Sequence, residues 1–84
     1  MTREEIRLAV VKALTSVAPE IDPQTLQPDD VLRQEFDLDS MDFLNFVIGL
    51  HAGLGVDVPE ADYGKLATLN AAVNYLESRL RAEG

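Results

Sequence analysis

The sequence predicts an all-α fold, a small four-helix bundle with a long first loop and a short third helix, and three observations support it. Apolar residues recur at helical spacing in three runs. Pro19, Pro23 and Pro28, mixed with Asp22, Asp29 and Asp30, separate the first run from the second. The alternation Val56-Asp57-Val58 is too short for a strand, and no second β-run exists to pair with it. With 84 residues the chain is expected to be one domain, residues 1–84, around one core.

Thr2 and Glu5 make a Ser/Thr-x-x-Glu capping box, and Ile6, Val10, Ala13, Leu14 and Val17 follow at helical spacing until Pro19, which defines the first helix. The prolines cannot sustain a long helix, so residues 20–39 read as an extended connection with one short turn near Asp30 to Arg33. A loop of that length needs anchors, and Ile21, Leu26, Val31, Leu32 and Phe36 are expected to pin it to the core. Met41, Leu44, Val47, Ile48 and Leu50 give a second helix that begins after Asp39 or Ser40 and stops around Gly53 and Gly55. Pro59 followed by Glu60 opens the third, which Gly64 limits to about two turns. Thr68 caps the last, with Leu69, Ala72, Val73, Leu76 and Leu80 on one face. There is no internal repeat and no low-complexity segment.

Lys plus Arg is 7 against 15 Asp plus Glu, a formal charge of −8. That balance argues against nucleic acid and anionic membranes and for partners with basic surfaces. The asymmetry is sharper locally, since Arg33 is the only Lys or Arg between Glu20 and Asp62. The absence of cysteine excludes disulfides, cysteine-rich zinc sites and cysteine nucleophiles, so any thiol must come from outside. Met1-Thr2-Arg3-Glu4-Glu5 is charged where a secretory signal turns apolar, and no apolar run approaches the roughly 18 residues of a membrane span. A cytoplasmic monomer is expected, and its charged N-terminus and complete helices favour a free domain.

The chemistry concentrates at Asp39-Ser40-Met41-Asp42, an exposed hydroxyl where an apolar helix begins. A serine there either caps orphan backbone N–H groups or presents a point where a phosphate-linked group can sit. A hydrolytic serine needs a base within reach, yet the one histidine, His51, lies about 16 Å along the same helix, and no G-x-S-x-G turn is present. Asp37, Asp39 and Asp42 invite a calcium loop, but Met41, Asp42 and Ile48 stand where such a loop wants an oxygen ligand, a glycine and a glutamate. No metal site is expected, and the remaining acids are solvated faces, some of which choose partners.

Across nearly its whole length the sequence resembles the acyl carrier proteins. The resemblance lies in Asp39-Ser40-Met41-Asp42, the apolar helix after it, Val56-Asp57-Val58-Pro59-Glu60, and the ending Leu66-Ala67-Thr68-Leu69-Asn70-Ala71-Ala72-Val73-Asn74-Tyr75-Leu76. It implies that Ser40 is esterified by 4′-phosphopantetheine from coenzyme A, and that the arm's thiol carries acyl groups as thioesters. It implies further that Asp39 helps position the magnesium of a phosphopantetheinyl transferase, and that Leu50, Leu54, Val58, Leu66, Ala72 and Leu76 line a shelter for the acyl chain. Taken singly, each of those six is better explained as ordinary core, and the two readings coexist because a core of Leu and Val can open a slot for a chain. The chain would then be no enzyme but the substrate of that transferase and of acyl synthases, ligases and acyltransferases, which Asp37, Asp39, Met41, Asp42, Phe43 and Asn45 would contact.

Three departures qualify the match. The glycine usual three residues before the serine is Asp37, and the leucine usual after it is Met41. The second helix, which in the family shows glutamates outward, offers Asn45, His51, Ala52 and Gly53. Phe43 and Phe46 are expected to add exposed aromatic surface there. A specialised carrier for a fatty-acid or polyketide-type pathway follows as the expectation. The alternatives are a peptidyl or aminoacyl carrier, or an acidic helical adaptor in which Ser40 is only a cap.

Overall fold

The computed structural model describes residues 1–83. Helix α1 spans Arg3–Val17 and starts at the capping box expected of it. The Thr2 hydroxyl accepts from the Glu5 N–H at 3.1 Å, and the Glu5 carboxylate accepts from the Thr2 N–H at 3.0 Å. Ile6, Val10, Val11, Ala13 and Leu14 face inward. The helix stops at Ala18 because Pro19 disfavours helical backbone in the residue before it.

The long connection is held by side chains and backbone together. Ile21, Leu26 and Leu32 are buried and Phe36 packs at the core's edge, as expected. Val31 corrects the expectation: the residue is 41% exposed, and the anchoring passes through main chain instead. Val31 forms an isolated bridge with Thr68, and the Leu32 N–H donates to the Ala67 carbonyl at 2.9 Å. Leu38 is a further buried anchor. The turn of helix lies slightly later than expected, as α2, Leu32–Glu35. Asp30 does not enter it, since its carboxylate accepts from the Gln27 N–H at 3.0 Å and closes a separate turn.

Helix α3 spans Ser40–Leu54 and ends at Gly55, whose φ of 71° is the left-handed conformation that glycine reaches without strain. Asp37, just ahead of α3, also has a positive φ, 53°. The expected third helix is present as a 3-10 helix, Glu60–Leu66, entered from Pro59. It runs past Gly64 to Leu66, which is fully buried. Helix α4 spans Leu69–Glu83, and the Thr68 hydroxyl accepts from the Ala71 N–H at 3.0 Å, the expected cap.

Helix α1 packs on both α3 and α4, while the 3-10 helix packs on α4. The α1–α3 seam is close: a Cβ added at Gly49 would lie 3.3 Å from that of Ala13. Phe46, Ile6, Leu14, Leu32, Leu50, Leu66, Leu76, Val10 and Val56 form the driest part of the core. A polar tie joins the 3-10 helix to α4. The Tyr75 hydroxyl donates to Asp62 at 2.7 Å and accepts from Arg79 at 2.7 Å, and Lys65 stands 3.3 Å from Asp62. The Tyr75 hydrogen bond holds the Asp62 carboxyl below its ordinary value, and burial pushes the Tyr75 hydroxyl above its own.

Candidate functional site

The start of α3 is built by two carboxylates. Asp39 accepts from the Asp42 N–H at 2.8 Å, and Asp42 accepts from the Asp39 N–H at 3.2 Å, a capping box made from two acids. Asp39 is therefore the N-cap, which settles the choice between it and Ser40. Ser40 becomes the first helical residue, and among the described residues its hydroxyl makes no hydrogen bond. The side chain is exposed. The sequence thus places a hydroxyl at a helix start and relieves it of the usual structural duty.

Ser40 lines a surface groove of about 380 Å³ together with Arg33, Met41, Phe43, Leu44, Glu60 and Tyr63. A smaller groove of about 160 Å³ adjoins it, sharing Arg33, Phe43 and Tyr63 and adding Val31, Gly64 and Ala67. Phe43 meets Tyr63 edge to face at 5.6 Å and Phe46 at 5.6 Å, while the Arg33 guanidinium lies 5.5 Å above the Phe43 ring. The sequence reading did not bring Arg33, Glu60 or Tyr63 to Ser40. The isolation of Arg33 among acids was the one signal available for any of them.

Phe43 and Phe46 correct a second expectation. They are 5% and 0% exposed, so neither adds aromatic surface. Phe43, Phe46, Val47 and Leu50 form the i, i+3, i+4, i+7 stripe that faces the core, which rotates Met41, Leu44 and Ile48 outward. The outer face is apolar through these aliphatic side chains instead. Asn45, His51, Ala52 and Gly53 are exposed with them, as is Asp37, while Asp42 is half-buried by its capping role.

His51 sits in the last turn of α3, at the opposite end of the helix from Ser40, with its Nδ1 4.0 Å from an Asp57 carboxylate oxygen. It offers Ser40 no base. Leu50, Val58, Leu66, Ala72 and Leu76 are buried in one core, and Leu54 packs at its margin. Among the described residues no cluster of three or more His, Asp or Glu is arranged to hold a metal, and no helix is long and apolar enough to cross a membrane. What the arrangement offers chemically is an exposed hydroxyl that the helix cap does not use.

Residues 9–76 match the family described as a phosphopantetheine attachment site. Relatives named acyl carrier protein are similar along nearly their whole length. That of Lactobacillus johnsonii is 33% identical over 78 residues, covering 93% of this chain and 96% of its own. That of Thermotoga maritima is 30% identical over 79 residues, 94% and 96%. That of Rubrobacter xylanophilus is 28% identical over 76 residues, 90% and 93%.

Proposed function

Because the chain belongs to the acyl carrier protein family, whose attachment domain it matches, we propose that Ser40 is the residue esterified by 4′-phosphopantetheine. The observation that carries this is the division of labour at the α3 start: Asp39 satisfies the backbone and leaves the Ser40 hydroxyl exposed and unengaged. The residues fit the group, since Ser40 opens onto a groove and the first turn of a 15-residue helix favours a phosphodiester's charge. When attached, the arm supplies the thiol that this cysteine-free chain lacks. The chain is a carrier and not an enzyme, so activation of the Ser40 hydroxyl falls to a separate transferase, with Asp39 beside it to meet that enzyme's magnesium.

The carrier works in the cytoplasm as a single domain, and its cargo is an acyl group held as a thioester. Leu50, Leu54, Val58, Leu66, Ala72 and Leu76 supply the lining when the core opens for the chain; their membership of one core cluster, with Leu54 at its margin, supports this. Partner synthases, ligases and acyltransferases dock around Asp37, Asp39, Met41, Asp42 and Asn45. The aliphatic and uncharged outer face of α3, Met41, Leu44, Asn45 and Ile48, supports a dedicated fatty-acid or polyketide-type pathway. Incubation with coenzyme A and a broad-specificity phosphopantetheinyl transferase, followed by intact mass, tests the attachment. One increment is expected in the wild type and none in Ser40→Ala; an increment that survives in Ser40→Ala would place the arm elsewhere.

A further inference from the structure

Resting on attachment at Ser40, we infer that Arg33 is an anion-holding residue of the same groove, and that it takes the phosphodiester of the attached arm. Arg33 is the only Lys or Arg between Glu20 and Asp62. Among the described residues its guanidinium has no carboxylate partner, although Glu35 and Asp37 are near in sequence and Glu60 lines the same groove. What it has is placement. Its guanidinium lies 5.5 Å above the Phe43 ring, and Phe43 is itself fixed between Phe46 and Tyr63.

The backbone beneath Arg33 is equally fixed. Leu32 is fully buried, the Leu32 N–H donates to Ala67, and the Arg33 carbonyl accepts from the Leu38 N–H at 2.9 Å. A planar fork of donors already held over a ring loses less freedom on gripping phosphate oxygens. Reach selects the anion. A phosphodiester on the Ser40 hydroxyl starts inside the groove that Arg33 lines, whereas a carboxylate at the end of the cargo has to fold back along the whole arm. Arg33 also offsets a local repulsion, because the rest of this acidic middle opposes a phosphate. Its exposure, with Glu60 nearby, keeps the hold weak and open to screening, so a basic partner surface can take the arm over.

The test uses nuclear magnetic resonance on the wild type, Arg33→Gln and, as a control away from this groove, Arg7→Gln, each loaded as above and checked by intact mass. Loading is expected to move the Arg33 Nε–H resonance, and about 0.5 M NaCl to return it toward its unloaded position. The phosphorus-31 resonance of the loaded protein is expected to shift in Arg33→Gln and to stay in Arg7→Gln. A normal mass increment with an unmoved Nε–H and the same phosphorus resonance in all three proteins overturns this inference and leaves the attachment standing. A wild type that gains no mass overturns both.

Discussion

Removing the Ser40 hydroxyl leaves the α3 N-terminus intact, because the Asp42 N–H is already satisfied by Asp39. Ser40→Ala is therefore expected to unfold in urea within about 0.5 kcal/mol of the wild type, as an exposed substitution away from any cap does. Asp39→Ala takes the cap itself and is expected to cost about 1 kcal/mol by the same measurement. Equal losses would mean that the two residues share the cap. Asp37 behaves differently again: at φ 53° it pays for a conformation that glycine reaches freely. Asp37→Gly is expected to raise the unfolding free energy measured in urea, by up to about 1 kcal/mol, and Asp37→Val to lower it. The glycine usual in the family at this position thus has its physical reason in a backbone turn that this chain makes with an aspartate.

At the scale of elements, the tie between the 3-10 helix and α4 has a pH signature. The folded value of Asp62 lies below its ordinary 3.8, so its stabilisation is present above about pH 4 and is lost as pH falls through the lower value. The folded value of Tyr75 lies above its ordinary 10.0, so its contribution is intact below that and is lost as pH rises through the folded value. Urea midpoints followed against pH should fall more gently at both ends in Tyr75→Phe than in the wild type, and identical profiles would show that the tie adds nothing. The α1–α3 seam answers to volume. Gly49→Ala gains about 1 kcal/mol of helix propensity but meets Ala13 at 3.3 Å, so it is expected to be nearly neutral, whereas Gly49→Leu overpacks the seam and costs about 1–3 kcal/mol. Helix starts were legible in the sequence because they are written locally, in Thr2 with Glu5 and in Thr68. The rotation of α3 was not, since Met41, Leu44 and Ile48 are as apolar as the phenylalanines and only packing decides which stripe turns inward. Val31 was missed for a related reason: its backbone does the anchoring, and side-chain character does not report that.

Across the whole molecule, the charge of −8 sets the response to salt. Added NaCl or a divalent cation is expected to raise the melting temperature, by about 4 °C or more for each ~1 kcal/mol of self-repulsion relieved. A melting point indifferent to both would place that repulsion below notice. The bundle and the position of Ser40 were readable from periodicity and capping chemistry, whereas the groove beside it needed the loop, α3 and the 3-10 helix to meet, which no local signal encodes. The Tyr75 tie also gives the molecule a spine. With the 3-10 helix fastened to α4, those two form one leaf, which α3 meets through the Phe43 and Tyr63 rings. The crease between them runs past Phe43 and Tyr63, whose edge-to-face rings can slide apart without breaking a hydrogen bond.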